Sequence, residues 1–86
     1  MEVEYKAKAL ADREFWKQSG NLKVQNKISE PITDICKTPF TGLGKPEPLR
    51  FELSGLWSRR ITREHRIIYE VLEDKISIVS MKGHYK

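Results

Sequence analysis

Apolar and polar residues alternate at the start of the chain, with Val3 and Tyr5 on one side and Glu2, Glu4 and Lys6 on the other, and this period of two predicts a short strand over residues 2–6. Residues 7–19 then carry Ala7, Ala9, Leu10, Ala11, Phe15 and Trp16 among charges, uninterrupted by Gly or Pro, and Gly20 supplies a stop, which predicts a first helix. Asn21 suits the cap of a second helix, in which Val24, Ile28, Ile32 and Ile35 recur at helical spacing. Pro31 falls inside that stripe; it lacks a backbone donor and crowds the preceding turn, so a kink or break is expected near Asn26–Glu30, with Ser29 available to cap a restarted helix. The two helices, joined at Ser19–Gly20, read as an antiparallel hairpin.

From residue 39 to 48 the sequence "PFTGLGKPEP" reads as a loop. The period then returns to two. Leu49, Phe51 and Leu53 alternate with Arg50 and Glu52, "SG" at 54–55 signals a turn, and "LWSRRI", "RIIYEVL" and "KISIVSM" follow as strands, separated by "TREH" and by Glu73–Asp74. An early strand, two helices and a meander of short strands predict an α+β fold: two N-terminal helices packed on a mostly antiparallel twisted sheet of four to five strands, as one domain over residues 1–86.

Composition narrows the class. Charged residues make up 33% and hydrophobic residues 38%, which suits a globular domain rather than a disordered one. No apolar run approaches the ~18 residues of a membrane span, and the opening "MEVEYKAKAL" has no apolar core of a secretory signal, so no membrane partner is expected. Cys36 is the single cysteine and has no internal disulfide partner, which makes the reducing cytoplasm the simplest compartment. The net charge of +4 is compatible with a polyanionic partner such as RNA or an acidic protein, and equally with a charge carried for solubility.

The distribution of that charge says more than its sum. Four of the six arginines, Arg59, Arg60, Arg63 and Arg66, fall within eight residues. Arg59 and Arg60 are neighbours on a strand, so they point to opposite faces; Arg60 is expected on the open face and Arg59 near an edge or an acid. Arg66 opens the partner strand across a short turn, which can bring it beside Arg60. Guanidinium forks so placed match the two non-bridging oxygens of a phosphodiester. The plainer alternative is a solvated strand face paired to Glu52, Glu64 and Glu70.

Glu47, stiffened between two prolines, leads into this sheet, and a carboxylate near cations can act as a general base. His65, in the turn, suits capping or hydrogen bonding to backbone. His84 follows the last strand in "MKGHYK", where Gly83 permits a bend; its imidazole suits proton transfer near neutral pH, and the ring of Tyr85 suits base stacking. One Cys and two distant His cannot build a zinc site, and "GLGKPEP" lacks the helix start of a phosphate-cradling loop, so neither metal nor cofactor is expected.

Together, "TPF-x-G-x-GKPEPL", "LSG-x-WSRRI-x-x-EHR-x-x-Y" and the terminal "HY" resemble the YoeB/Txe-type toxins of the RelE superfamily, the toxic halves of bacterial type II toxin–antitoxin pairs. The resemblance covers essentially the whole chain. It implies a microbial-ribonuclease-like fold and a metal-independent, ribosome-dependent endoribonuclease (an mRNA interferase) that cuts messenger in the A site and inhibits translation. It implies a cognate acidic antitoxin of the YefM/Axe kind as partner, with homodimerisation left open. Glu47, Arg66, His84 and Tyr85 match catalytic positions, while Arg59, Arg60, Lys45 and Lys82 are expected to hold RNA or phosphate. Pro31, Gly83 and Lys86 depart from the pattern expected of relatives without removing a catalytic group. A non-catalytic RNA-binding or antitoxin-binding module stays open as the alternative.

Overall fold

A computed structural model of the chain describes residues 2–83. Their elements are β1 (Glu2–Tyr5), α1 (Ala7–Ser19), α2 (Leu22–Lys37), β2 (Glu47–Pro48), a 3-10 turn (Phe51–Leu53), β3 (Leu56–Arg60), β4 (Arg66–Val71) and β5 (Lys75–Ser80). The strands form one sheet in the order β1-β5-β4-β3-β2. Strands β2 to β5 are an antiparallel meander, and β1 lies parallel to β5 with Glu2 opposite Lys75. This is the expected α+β arrangement.

The helices bury one stripe each. On α1 the buried residues are Ala9, Asp12 and Trp16, one face of a 3.6-residue period. The helix ends where Gly20 adopts φ 70°, a left-handed conformation that costs glycine nothing sterically. Asn21 then caps α2, its side-chain oxygen accepting the Val24 N–H at 3.1 Å. Under the helices, Ile67, Tyr69, Ile76 and Ile78 are fully buried on the inner sheet face. Each such aliphatic side chain contributes about 1.5–3 kcal/mol of burial free energy.

Two expectations need correction. The break near Asn26–Glu30 does not occur, because α2 runs unbroken from Leu22 to Lys37. Pro31 is itself one of its buried residues, with Val24, Ile28 and Ile35, at spacings that keep one face on the sheet. Packing along that whole face outweighs the ~3 kcal/mol that an interior proline costs a helix. Nor is there a strand through Leu49, Phe51 and Leu53. The paired segment comes earlier and is short, Glu47 opposite Ser58 and Pro48 opposite Trp57. Beyond it Phe51 turns to φ 57° and lies 90% exposed, whereas Leu49 is buried. Of the three alternating apolar residues only Leu49 is buried; a 3-10 turn follows, and the chain reverses at Gly55.

Candidate functional site

The strand pleat sorts the arginines. Arg59 points to the helix side and is 0% exposed. Its guanidinium donates to Asp34 Oδ2 at 2.6 Å, to the carbonyls of Leu43 and Thr41 at 3.2 and 2.7 Å and to that of Thr38, and its Nε donates to the Tyr69 hydroxyl at 3.1 Å. Tyr69 passes its own proton to the Pro39 carbonyl at 2.7 Å. The expectation that Arg59 holds RNA is therefore corrected. Every direction of its fork is spent on tying the 38–43 loop to α2 and the sheet, where desolvation requires such partners.

That knot anchors the segment that carries Glu47. Gly44 accepts the Arg60 N–H on its carbonyl at 2.8 Å. A Cβ on Gly44 would lie 2.8 Å from the Arg60 carbonyl oxygen, so only glycine lets the loop lie this close to β3. Lys45 follows at φ 51°, a conformation that costs a non-glycine residue on the order of 1 kcal/mol, and is exposed. The prolines then straighten the chain into β2.

Across the outer face, register does the rest. Glu47 is opposite Ser58, Ser58 is opposite Ile68, and two residues further along β3 Arg60 is directly opposite Arg66. Directly opposed side chains stand about 4.5–5.5 Å apart at Cβ and diagonal ones about 7–8 Å at Cα, so one carboxylate and two guanidiniums share a small patch of sheet. Glu47 and Arg60 are exposed and Arg66 is half-buried. Among the described residues no ion pair involves any of the three. Lys82 is placed differently: its ammonium rests 4.2 Å from the centre of the Phe15 ring of α1. His84 and Tyr85, expected at the same site, lie outside the described residues.

Two residues that matter here carried no assigned role in the sequence. Asp34 and Tyr69 complete the Arg59 knot from 25 and 10 positions away, a separation that leaves no local signal. His65, expected to bond to backbone, does so: its Nδ1 accepts the Gly83 N–H at 2.9 Å.

The knot makes a stability prediction. Arg59→Leu strips Thr38, Thr41, Leu43 and the Tyr69 hydroxyl of their donor, and should cost at least about 3 kcal/mol, a fall in Tm on the order of 10–20 °C. Asp34 adds a pH signature. The Arg59 hydrogen bond, then that from the Leu43 N–H, holds its carboxyl below its ordinary range. A depressed folded-state pKa contributes stability above the unfolded carboxylate range that is lost as pH falls through the folded value. Asp34→Asn should therefore flatten the acid limb of a Tm-against-pH curve. A wild-type Tm for Arg59→Leu, or an unchanged acid limb for Asp34→Asn, contradicts these assignments.

Two helices on one face of a five-stranded sheet define a RelE-like α+β domain, a fold shared with Escherichia coli YafQ, 16% identical with a TM-score of 0.78. The sequence model of the YoeB-like toxins of bacterial type II toxin–antitoxin systems matches residues 5–85, and the chain belongs to that family. Toxin YoeB of *Escherichia coli* K12 is 48% identical over 71 residues, 83% of each chain. A YoeB/ParE toxin from *Agrobacterium tumefaciens* superposes with a TM-score of 0.93 at 39% identity, covering 99% of this chain and 100% of that one. The YoeB of a YoeB–YefM complex from *Staphylococcus aureus* gives 0.88 at 37% identity, over 99% and 98% of the two chains.

Proposed function

We propose that this toxin is a metal-independent endoribonuclease that cuts messenger RNA in the ribosomal A site and so stops translation. The observation that carries the reading is the register that sets Glu47 beside the opposed pair Arg60–Arg66 on one exposed sheet face. RNA brings its own nucleophile. The Glu47 carboxylate takes the proton of the ribose 2′-OH; O2′ attacks phosphorus; the bond from phosphorus to O5′ breaks as the His84 imidazolium protonates O5′. The products are a 2′,3′-cyclic phosphate and a 5′-hydroxyl. Arg66 and Arg60 hold the non-bridging oxygens as their charge grows, Lys45 adds to the local positive field, and Tyr85 stacks on a base.

The same face suits an acidic antitoxin. A YefM-bound relative and a YoeB dimer from *Staphylococcus aureus* support both an antitoxin partner and self-association for this chain. A segment that lays carboxylates on Arg60 and Arg66 would neutralise the patch as it folds.

The decisive experiment replaces one ribose. A single 2′-deoxy nucleotide on the 5′ side of the cut, in a messenger on stalled ribosomes, should abolish cleavage while leaving binding intact. Continued cutting of the deoxy substrate would show that the 2′-OH is not the nucleophile, and a strict magnesium requirement in the chemical step would overturn metal independence.

A further inference from the structure

The residues just before His84 are stitched down with unusual density. Asp12 of α1 accepts the Met81 N–H at 2.9 Å, and the Trp16 indole donates to the Met81 carbonyl at 2.9 Å. Gly83 is then held by both of its backbone groups: its carbonyl accepts the Arg66 N–H at 3.0 Å and its N–H donates to His65 Nδ1 at 2.9 Å. A backbone N–H can only donate, so in this bond Nδ1 of His65 is the acceptor.

The imidazole is itself fixed. It meets Trp16 edge-on, ring centres 4.9 Å apart at 82°. The His65 backbone is fixed as well: its main-chain N–H donates to Thr62 Oγ1 at 3.1 Å, and its main-chain carbonyl accepts the N–H of Ile61 and Thr62 at 2.9 and 3.1 Å. The β3–β4 turn is therefore a rigid platform. It holds Arg66, the phosphate ligand of the site proposed above, and grips the residue covalently next to the imidazole assigned as the acid.

We propose that His65 is a positioning residue, whose Nδ1 grips the Gly83 N–H and thereby fixes, relative to Arg66, the backbone from which His84 departs. This rests on the nuclease reading. His65 touches neither RNA nor the reacting atoms. It makes the acid and the arginine parts of one unit, and a displacement of about 1 Å in such a group costs up to ~10²-fold in rate.

Two substitutions separate grip from packing. Phe keeps the ring edge against Trp16 and has no acceptor. Asn loses the ring and places Oδ1 near the position of Nδ1. Single-turnover cleavage on ribosomes carrying a short messenger gives the rate and the half-saturating concentration. His65→Phe should cut about 10- to 100-fold more slowly with half-saturation within about twofold of wild type, and His65→Asn should retain a rate within about threefold. The Gly83 amide, followed by hydrogen exchange in the free full-length proteins, should exchange about tenfold faster in Phe than in wild type and remain slow in Asn. A Phe variant cutting within threefold of wild type, or an Asn variant as slow as Phe, overturns the proposal. If wild-type protein cuts no messenger at all, the nuclease reading falls, and equal Gly83 exchange in wild type and Phe would remove the grip as well.

Discussion

Glu47→Gln lowers the single-turnover rate of messenger cleavage by about 10²- to 10⁴-fold, the range expected when a general base is removed. The substitution keeps the size of the side chain and removes its ability to take the 2′-OH proton. Two side effects should be small or of the opposite sign. Glu47 is exposed on a two-residue strand, so stability should move by no more than about 0.5 kcal/mol. It is also a negative charge on the same sheet face as the Arg60–Arg66 pair, so its loss leaves a more basic face and RNA should bind as tightly or more tightly. A rate that collapses while affinity holds or rises is the signature of a base. A rate that falls only in proportion to affinity would mean that Glu47 serves binding, and a near-wild-type rate would remove it from the mechanism.

Removal of residues 84–86 should have an effect of the same size. If His84 protonates the leaving oxygen and Tyr85 stacks on a base, the truncated protein loses cleavage and toxicity, and His84→Gln alone reproduces most of the loss, about 10²- to 10⁴-fold. Removing Lys86 by itself should change little. Thermal unfolding should scarcely notice any of the three, because terminal residues add little to a core whose last described member is Met81. A His84→Gln protein that cuts at the wild-type rate rules the imidazole out as the acid. A truncation that lowers Tm by 10 °C or more would instead make the tail part of the fold.

Much of the architecture was legible because burial imposes a period on sequence. In β4 and β5 the inner face takes Ile67, Tyr69, Ile76 and Ile78, and alternation alone finds them. Where two structures satisfy one pattern, the sequence cannot choose. Leu49 is buried whether residues 49–53 are a strand or a loop, and the exposed Phe51 tells them apart. Pro31 misled for a different reason: the rule for proline is local, and the burial that overrides it is not. In the site, Arg60 and Arg66 could be placed from alternation and a short turn, while Glu47 stood out by its proline neighbours and by resemblance. An acid beside Arg59 was one of the two placements expected, but which acid could not be read. A buried guanidinium demands an acid, but nothing near it in sequence names Asp34.

The strand order has a consequence for how this toxin comes into being. Among the described residues β1 precedes every other element and pairs with β5 alone, the strand that follows all the others, with Glu2 opposite Lys75. β5 in turn supplies the inner wall of the sheet between β1 and β4. Closing so long a loop is slow, and no subset of earlier segments can substitute for the missing middle strand. The sheet that bears the acid and the arginines therefore cannot be completed until β5 has emerged from the ribosome that is making it. A partner that needs the finished sheet could therefore engage it only after β5 has joined β4 and β1.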